Sequence, residues 1–325
     1  MTLCSVIIVN WNGKRFLAEC LDALAQQTVG AFDIILVDNG SEDGSSAYVK
    51  RHYPEVKVIE LPENRGFCGA NNIALKSMNT KYVALLNNDA IPHPKWLATL
   101  LDAIEANDDA GFAASKILFH STPGMIDRAG DAYTVAGAGL LRGRGEPAWR
   151  YDRKEWIFGA CAGAALYRSR MLRAVGAFDE DFFLLHEDVD LSFRAQLQGY
   201  RCIYVPEALV YHKASSSVVH DSPISVYYGH RNLEWVYIKN MPARLIVLTI
   251  IPHLIYDAAA FLYFLVHGRG KDYMRAKADA LRGSGKALEK RRWIQKSRRV
   301  DDRYVWGLLG KELLLPRLVG RFQKS

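Results

Sequence analysis

Short apolar runs alternate with amphipathic stretches through the first 120 residues of the chain. The runs at residues 5–10, 32–38, 57–61 and 82–87 have the composition of strands, and residues 94–107 repeat apolar positions at helical spacing. Continuous apolar strands separated by helices are typical of a parallel sheet that is covered on both faces. The pattern therefore predicts an α/β fold, Rossmann-like, with a mostly parallel central sheet and helices on both faces.

Polar residues follow each of the four predicted strands, at residues 10–12, 38–41, 63–72 and 87–89. Each group alone is an ordinary turn. However, the carboxyl ends of parallel strands meet at one edge, where α/β sheets bind their ligands. Residues 63–72, ENRGFCGANN, also open onto a helix whose free N–H groups can meet a phosphate. They form neither a GxGxxG nor a Walker loop, so NAD and P-loop chemistry are not supported.

The pattern loosens after the fourth strand. Residues 109–155 contain a Gly-rich stretch and scattered charges, and we expect inserted loops near a site there. Residues 156–169 then have the composition of a strand with small residues, including Gly159 and Gly163. Small residues let a ligand approach the backbone closely or let two elements pack tightly, and both interpretations stay open.

An apolar helical face follows the run FFLL at residues 182–185. Val189, Phe193 and Leu197 are spaced four residues apart, which predicts a helix after residue 188. Asp190 and Arg194 have the same spacing, and we expect them to pair on the surface of this helix.

Glu187 and Asp188 stand where this helix begins. Asp188 suits an N-cap, which accepts a backbone N–H and is favoured by the helix dipole. Glu187 is harder to explain, because adjacent carboxylates repel unless a cation or a proton separates them. A structural and a catalytic role for this acidic pair are both open on these residues alone.

Composition describes a globular chain of 325 residues, enough for one large domain with an appendage or for two domains. Half of the residues are hydrophobic and 24% are charged, which excludes wholesale disorder. The five cysteines are odd in number and contain no CxxC, which favours a reducing compartment over a disulfide framework or a thiolate zinc site. The N-terminus has neither the charged n-region nor the cleavage site of a signal peptide.

Positive charge is concentrated in the C-terminal region. Residues 1–240 hold 24 Lys and Arg against 28 Asp and Glu, a net charge of −4, whereas residues 241–325 hold 18 against 7, a net charge of +11. Such asymmetry indicates an anionic partner for this region, either nucleic acid or a membrane surface.

A long apolar run lies in the same region. Residues 245–266 are long enough to cross a membrane, although Pro252, His253 and Asp257 fall inside the run. Basic residues interleaved with Trp and Leu at 286–299 suit an interfacial helix on anionic lipid. Together these features favour a membrane over nucleic acid. Whether residues 245–266 span the bilayer, enter it as a broken hairpin or dock on the catalytic domain stays open.

Taken as a set, these segments resemble the inverting glycosyltransferases of family two, which have the GT-A fold, and among them the branch with bacterial rhamnosyltransferases. The resemblance covers roughly residues 3–240 and implies a GT-A catalytic domain over 1–240. Its nucleotide-sugar half would end near residue 120 and its acceptor half would follow, with a membrane-associating helical region over 241–325. The segments that carry it are SVIIVNWNG (5–13), LVDNGSEDGS (36–45), ENRGFCGANN (63–72), LLNNDA (85–90), VGAFDEDFFLLHEDVDLSFR (175–194), VYHKASSS (210–217) and YYGHRNLEW (227–235).

The resemblance implies a set of donor-binding residues. Asp38 is expected to accept a hydrogen bond from the pyrimidine ring of a sugar nucleotide, and Gly163 to lie in the wall near the donor sugar. The other expected donor-binding residues are Asn10, Asn12, Asn64, Arg65, Gly66, Asn71, Asn87 and Asn88.

The resemblance also implies a divalent cation, Mg²⁺ or Mn²⁺. Asp89 matches the last acid of a DxD-type metal motif, and His212 matches a histidine that completes the metal site in several relatives. The motif here reads Asn87-Asn88-Asp89, so its first carboxylate is absent, although an amide oxygen can still bind a hard cation. Such an ion stabilises the charge that grows on a departing diphosphate.

By the same resemblance, Asp188 matches the catalytic base. A carboxylate that removes the proton of the acceptor hydroxyl accelerates transfer by ~10²–10⁴-fold. One displacement from the face opposite the leaving group inverts the anomeric centre. Glu187 is expected to orient or tune Asp188 or to bind the acceptor, and Arg194 and Arg231 are further candidates for acceptor contacts.

The function implied is metal-dependent transfer of a sugar from a deoxythymidine- or uridine-diphosphate sugar to a hydroxyl of a lipid-linked saccharide, in the synthesis of a surface or cell-wall polysaccharide. Rhamnose is suggested by the branch of the family. The basic, apolar tail adds an anionic membrane surface as a partner. It predicts a peripheral or monotopic enzyme at the cytoplasmic face of the inner or plasma membrane.

Three other functions are weighed against this one. A nucleotidyltransferase that makes sugar nucleotides would carry a Gly-rich N-terminal loop with Arg and Lys, of which WNGKRFL (11–17) is a poor version. A non-catalytic module that binds sugar or nucleic acid would have no use for Asp89 together with Glu187 and Asp188. The departure at Asn87 keeps open a membrane scaffold with a degenerate domain.

Overall fold

The computed structural model describes residues 2–214 and 221–311. The first of its two compact units comprises Met1–Asp131, Leu141–Ala195 and Tyr200–Ser216, and the second comprises Ala132–Leu140, Gln196–Gly199 and Ser217–Ser325. The expected boundary after residue 240 falls inside the second unit. The serines at 215–217 of the VYHKASSS segment and the basic end of the tail at 312–325 lie outside the described residues.

Strands and helices alternate through the first part of the chain, and helices alone follow the last strand. The strands are β1 Cys4–Asn10, β2 Asp33–Asp38, β3 Lys57–Glu60, β4 Tyr82–Leu86, β5 Ala90–Pro92, β6 Ala110–Phe119, β7 Thr122–Arg128, β8 Asp131–Tyr133, β9 Gly139–Leu141, β10 Glu155–Ile157, β11 Ala164–Arg168 and β12 Arg201–His212. The helices are α1 Lys14–Ala25, α2 Ser45–His52, α3 Gly66–Lys76, α4 Trp96–Glu105, α5 Ser169–Val175, α6 Glu187–Leu197, α7 Pro223–Asn240, α8 Ala243–Val266, α9 Gly270–Arg282, α10 Ser284–Ser297 and α11 Asp302–Leu308.

Strands β1 to β4 form a parallel array in the order β3-β2-β1-β4. Their apolar runs are buried on both faces: Val6, Ile7 and Ile8 of β1 are each at most 1% exposed. Beyond β4 the sheet continues through β11, β6 and β12, where β11 is antiparallel to both of its neighbours and β12 is parallel to β6. The α/β class is therefore confirmed, with a sheet that is parallel in its first half and mixed in its second.

Helices cover both faces of this sheet. Val6 and Ile8 pack in one cluster with Leu17 of α1 and Leu97 of α4. Ile7 points to the opposite face, because successive side chains of a strand alternate, and α3 packs against β1 and β2. This arrangement leaves the carboxyl edge of the parallel strands uncovered by the flanking helices and available to loops.

Residues 109–155 hold a strand where the sequence predicts loops. β6 runs for ten residues in the middle of the sheet, and all but its last residue are buried. Its sequence, AGFAASKILF, is rich in Ala and Gly, which are depleted in strands. The expectation of inserted loops is wrong for β6, because burial overrides the low strand propensity of its small residues. The single strand expected at 156–169 is also divided, between β10 and β11.

The second unit consists mainly of the helices α7 to α11. α8 continues through Pro252, so a broken hairpin is excluded. His253 Nε2 lies 3.2 Å from Glu234 Oε2 of α7, and Lys277 Nζ of α9 lies 2.7 Å from Asp257 Oδ1. α8 therefore docks on neighbouring helices of its own unit. Within the described residues it is the one helix that is long and apolar enough to cross a membrane.

Candidate active site

The parallel strands bring the polar residues that follow them to one edge of the sheet. Asn10 at the end of β1 is paired in register with Asp38 at the end of β2, and Asp38 is paired with Glu60 at the end of β3. β4 pairs with the other side of β1 and leads into residues 87–89. The strand pattern predicts this meeting at the carboxyl edge.

Three of the asparagines at this edge hydrogen-bond to protein groups. Asn88 Nδ2 donates to Asn10 Oδ1 at 2.7 Å, and Asn10 Nδ2 donates to Ser41 Oγ at 3.3 Å. Asn12 Oδ1 accepts from the Glu42 amide at 2.9 Å. These contacts hold the loops after β1, β2 and β4 together, so the side chains of Asn10, Asn12 and Asn88 shape this edge of the sheet through the loops they join.

The loop before α3 is held in the same way. Asn64 Oδ1 accepts from Asn39 Nδ2 at 2.9 Å and from the Gly66 amide at 2.8 Å, and Asn39 Oδ1 accepts from the Arg65 amide at 2.8 Å. Gly66 has a φ of +68°, and the carbonyl oxygen of Phe183 would lie 2.5 Å from a Cβ there. The Arg65 guanidinium pairs with exposed Glu63 at 2.8 Å, so it stays at the surface, where a phosphate can compete for it.

Asn71 and Asp38 differ sharply in how their polar atoms are satisfied. Asn71 is buried in α3, and its Nδ2 donates to the Phe67 carbonyl at 2.9 Å. Asp38 is 5% exposed, and its buried Oδ1 has no hydrogen-bond partner among the described residues. Leaving a buried acceptor unpaired is costly. The free oxygen of Asp38 therefore suits a donor N–H supplied by a ligand.

Asp89 and His212 converge at the ends of β4 and β12. Asp89 Oδ1 lies 3.0 Å from His212 Nε2, and Asn87 Nδ2 lies 3.4 Å from the same nitrogen. Two ligands on adjacent positions of an octahedral ion, each about 2.1 Å from the metal, are about 3 Å apart. The carboxylate and imidazole therefore fit a shared divalent cation, and the amide of Asn87 stands beside them.

The other face of the His212 ring is held by Asp127 of β7. His212 Nδ1 lies 2.6 Å from Asp127 Oδ2, and Arg144 forms an ion pair with Asp127. Burial lowers the pKa of His212, because it disfavours the charged imidazole. The hydrogen bonds to Asp127 and Asp89 outweigh this effect and raise the pKa to about 9. In the absence of a metal the proton on His212 therefore takes the place of a cation between two carboxylates.

Asp188 lies in the first turn of α6, after a strained segment. Phe183, Leu185 and His186 all have φ between +63° and +67°, a backbone region that costs such residues roughly 1–3 kcal/mol each and is concentrated at functional sites. Asp188 Oδ1 accepts from the Val189 amide at 2.8 Å, and Oδ2 accepts from the Ala162 amide at 3.4 Å. Asp188 is half-buried, so its carboxylate is partly held and partly accessible.

Two neighbouring acids are kept neutral beside Asp188. Burial and the Asp188 carboxylate raise the pKa of Asp131, although Arg128 Nη1 lies 3.1 Å from Asp131 Oδ1 and opposes this shift. Burial, with a smaller contribution from Asp188, also raises the pKa of Glu187 well above its usual range. Glu187 Oε2 is buried and has no partner in the described part of the chain. Asp131 and Glu187 therefore hold their protons more tightly than free carboxyl groups do, and the half-buried Asp188 beside them is the candidate base.

The segment at residues 161–163 joins the two halves of this site. The Gly163 carbonyl accepts from the Asn87 amide at 2.8 Å, while the Ala162 amide donates to Asp188. A Cβ on Gly163 would lie 3.0 Å from Asn87 Nδ2, so the close approach of β11 to the end of β4 requires a small residue. One short segment therefore lies between the candidate base and the candidate metal ligands.

The site brings an acid–histidine pair and a half-buried carboxylate together at one edge of the sheet, and sequence comparison identifies the family of the chain. Residues 5–176, more than half of the chain, match the family Glycosyl transferase family 2. The chain belongs to this family. It is therefore a glycosyltransferase enzyme, which removes the nucleotidyltransferase, the non-catalytic module and the membrane scaffold as alternatives.

Relatives of this glycosyltransferase include a rhamnosyltransferase and an O-antigen biosynthesis protein. The N-acetylglucosaminyl-diphospho-decaprenol L-rhamnosyltransferase of Mycobacterium tuberculosis is 27% identical over 262 residues, which cover 72% of this chain and 83% of that one. The O-antigen biosynthesis protein RfbC of Myxococcus xanthus is 24% identical over 229 residues, covering 66% of this chain and 17% of that one. The resemblance to the rhamnosyltransferase branch is thus confirmed as a similarity.

Solved structures show the GT-A fold. GalNAc-T7 with UDP, GalNAc and Mn²⁺ matches with a TM-score of 0.59 and 17% identity, over 74% of this chain and 48% of that one. The mannosyltransferase PcManGT of Pyrobaculum calidifontis, in complex with GDP-Man and Mn²⁺, matches with a TM-score of 0.53 and 18% identity, over 99% and 88%. The GT-A fold predicted for this glycosyltransferase is confirmed.

The two arginines predicted to meet the acceptor have other partners. Arg194 pairs with Asp190 at 2.8 Å and donates to the carbonyls of Val175 and Ala177. Asp190 and Arg194 are both at most 5% exposed, so the expected surface pair is a buried one that anchors α6. Arg231 belongs to the second unit, where its guanidinium lies over the rings of Tyr228 and Trp235. Neither contact set points to an acceptor.

The sequence analysis missed Asp127, Arg128, Asp131 and Arg144. Asp127 and Arg128 lie in β7, Asp131 begins β8 and Arg144 follows β9, all in the region predicted to be loops. The cluster MIDRAGD at 125–131 holds two acids and an arginine within five residues, and this was the available signal. This cluster indicates a site only once β12 has brought His212 to the same edge of the sheet, and the local sequence does not reveal that placement.

Proposed function

We propose that this enzyme transfers a sugar, with inversion, from a pyrimidine nucleoside-diphosphate sugar to a hydroxyl of a lipid-linked saccharide. The observation that carries the proposal is the pairing of Asp89 Oδ1 with His212 Nε2 at 3.0 Å, on the other side of residues 161–163 from the Asp188 carboxylate. This arrangement supports leaving-group stabilisation on one side of the segment and proton removal on the other, which suits a single in-line displacement.

Asp188 acts as the general base in this proposal. It takes the proton of the acceptor hydroxyl while the oxygen attacks the anomeric carbon, and the bond to the diphosphate breaks. The raised pKa values of Glu187 and Asp131 keep these two neighbours protonated, so they do not compete with Asp188 for the proton of the acceptor. Such base catalysis contributes ~10²–10⁴-fold.

Asp38 and the loop before α3 bind the nucleotide. The free Oδ1 of Asp38 accepts the N3–H of uracil or thymine, and Arg65 exchanges Glu63 for a phosphate. Asp89 and His212 hold a divalent cation, Mg²⁺ or Mn²⁺, which neutralises charge on the diphosphate when it is bound. GT-A neighbours in complex with nucleotide and Mn²⁺ support this assignment.

The donor sugar is rhamnose and the acceptor is a saccharide on a polyprenyl diphosphate, at the cytoplasmic face of the membrane. Both assignments come from the M. tuberculosis relative, whose name states a rhamnosyl transfer to a decaprenol-linked sugar. The polysaccharide is then one of the cell surface or cell wall.

Nucleoside-diphosphate release from a panel of sugar nucleotides tests the proposal. The purified full-length protein is assayed with Mg²⁺ or Mn²⁺ and a bacterial lipid extract, beside Asp188→Asn. We expect release from one pyrimidine-linked donor, dependent on metal and extract, and reduced at least ~10²-fold in the variant, which still binds the donor. Equal release by Asp188→Asn, or binding of no donor with or without metal, would refute it.

A further inference from the structure

Helix α8 directs its polar side chains inward. Thr249, His253 and Asp257 are spaced four residues apart on the side that faces α7 and α9, and Thr249 and His253 are at most 5% exposed. Thr249 Oγ1 lies 2.8 Å from Tyr237 Oη of α7, and His253 Nδ1 lies 2.9 Å from the carbonyl oxygen of Ala136. A helix on a water-exposed surface has the opposite arrangement, with its apolar face inward.

The outward face of α8 is an apolar stripe. Its side chains recur at helical spacing and are between 48% and 80% exposed. They are Val247, Leu248, Ile251, Leu254, Ile255, Leu262, Leu265 and Val266. Single apolar residues are common on soluble surfaces, but a contiguous stripe along the length of a 24-residue helix marks an interaction surface.

A basic cleft lies at the N-terminal end of this stripe. Its volume is about 790 Å³, and Arg244 of α8 projects into it from the same helical face as Leu248 and Ile251. The arginines that line it are Arg244, Arg291, Arg292, Arg298 and Arg303.

The basic cleft keeps an excess of positive charge. Two aspartates also line it, and Arg298 pairs with one of them, Asp302. Burial, with a smaller effect of the nearby Arg298 charge, lowers the pKa of Arg291. Arg291 donates to the carbonyls of Ile238 and Met241. Four lining arginines have no ion pair to any described residue, namely Arg244, Arg291, Arg292 and Arg303. The excess positive charge of the cleft suits an anion. Guanidinium groups match phosphate in geometry as well as in charge.

We propose that the stripe and the basic cleft together are the surface by which this protein lies on an anionic phospholipid bilayer. The stripe enters the boundary between headgroups and acyl chains, and the arginines bind headgroup phosphates beside it. The inference rests on the proposed function, because a lipid-linked acceptor is met at such a surface.

α8 lies in the plane of the membrane in this arrangement and does not cross it. A spanning helix would have to withdraw His253 and Asp257 from Glu234 and Lys277. Breaking a buried charge network leaves unpaired charges, which lipid solvates even less well than protein does.

Flotation of the full-length protein with vesicles tests the stripe. The vesicles are phosphatidylcholine alone, and phosphatidylcholine with an equal share of phosphatidylglycerol. Ile251→Glu/Ile255→Glu changes two exposed stripe residues, and Leu281→Glu, on a 73% exposed residue of α9 outside the stripe, is the matched control. We expect the stripe variant to bind both vesicles at least about tenfold more weakly than the wild type, and the control to bind like the wild type.

The cleft is tested with the same vesicles. Arg244→Glu/Arg292→Glu/Arg303→Glu should remove the preference for phosphatidylglycerol, a loss of about tenfold or more, and leave binding to phosphatidylcholine unchanged. Arg170→Glu, on an exposed residue of α5, should change neither. Wild-type-like flotation of the stripe variant, or no flotation of the wild type, overturns the proposal. So does a wild-type dimer that the stripe variant dissociates, or binding of single-stranded DNA without binding of vesicles.

Turnover separates this inference from the proposed function. The stripe variant should transfer sugar to a short-chain, water-soluble acceptor analogue at the wild-type rate and lose transfer to an acceptor embedded in vesicles. If the vesicle results are as expected but the wild type turns over no donor, the proposed function fails and the membrane surface stands. If turnover is normal and no variant alters flotation, the membrane surface alone fails.

Discussion

At the scale of single residues, Asp127 holds the imidazole of His212, the residue that we propose as a metal ligand. His212 Nδ1 lies 2.6 Å from Asp127 Oδ2 while Nε2 faces Asp89, which is the arrangement in which a carboxylate orients a histidine ligand. Asp127→Asn keeps the shape of this contact and removes its charge. We expect the Kd for Mn²⁺ to rise by about 10–100-fold, measured by calorimetry on the protein with UDP and without it.

A neighbouring carboxylate provides the control for this substitution. Asp152→Asn alters an exposed acid that pairs with Lys116 and does not contact His212. Its Kd for Mn²⁺ should equal that of the wild type. An unchanged Kd in Asp127→Asn, or an equal rise in both variants, would show that Asp127 does not act through the histidine.

Asp131 makes the stability of the fold depend on pH. Its pKa is raised in the folded state by burial and by Asp188, so between the unfolded pKa of ~3.9 and the folded pKa the folded chain holds a proton that the unfolded chain releases. The contribution of Asp131 is therefore fully present at acid pH and is lost as pH rises towards the folded pKa. The slope for one proton is at most about 1.4 kcal/mol per pH unit.

Asp131→Asn carries an amide that cannot ionise. As pH is raised from about 5 to about 8, we expect the free energy of unfolding of the variant to rise relative to that of the wild type. The wild type loses stability over this range because its unfolded chain releases the proton of Asp131, and the variant has no such proton. Urea unfolding over this range measures the difference. Asp108→Asn, an exposed change on the same unit, should track the wild type. A constant difference between Asp131→Asn and the wild type across the range would argue that Asp131 is ionised throughout.

At the scale of elements, the start of α3 and the strained segment before α6 are packed against one another. The Phe67 amide donates to the Phe183 carbonyl at 2.8 Å, and a Cβ at Gly66 would lie 2.5 Å from that same oxygen. Gly66→Ala should therefore displace the segment that leads to Asp188. We expect a loss of stability larger than the roughly 1–2 kcal/mol cost of the left-handed conformation alone, with reduced turnover.

Gly176→Ala isolates that conformational cost. Gly176 has a φ of +85°, and a Cβ at this position would have nothing within 4 Å, so it shares the backbone penalty without the clash. Chemical unfolding of both variants gives the comparison. An equal loss of unfolding free energy in the two variants would mean that the segment around Phe183 moves aside at no cost and does not position α6.

The sequence predicts the parallel half of the sheet well and the mixed half poorly. β1, β2 and β4 are nearly continuous apolar runs, and this composition predicts burial on both faces of the sheet. β6 is equally buried but is built from small residues, and its partners β11 and β12 are distant in the chain. Pairing over such separations is decided by tertiary packing, which a local pattern does not contain.

The same distinction holds for the candidate site. The positions of Asp38, Asp89 and Asp188 follow from strand ends and helix starts, because each acid stands beside an element that the pattern predicts. Asp127 and Asp131 reach the site through β7 and β8, which the pattern does not predict. The inward direction of Arg194 depends on two carbonyls before α6, and only the folded chain brings these to its guanidinium.

At the scale of the whole molecule, charge is divided along the chain, with −4 over residues 1–240 and +11 over residues 241–325. Attraction between exposed arginines and lipid phosphates is screened when the Debye length falls from ~10 Å at about 0.1 M salt to ~3 Å at about 1 M. Apolar insertion is not weakened by this screening. Salt should therefore reduce binding of the full-length chain to vesicles with phosphatidylglycerol down to the level measured for phosphatidylcholine alone, and leave the latter unchanged.

A flotation series in salt distinguishes the two contributions without any substitution. If salt releases the protein from both kinds of vesicle, charge alone holds it and the apolar stripe of α8 is not inserted. If salt changes neither, the arginines do not contact phosphate and the positive charge of the C-terminal region serves another purpose. Partial release, confined to the anionic vesicles, is the result that an in-plane α8 with a basic cleft at one end requires, because only the cleft is sensitive to screening.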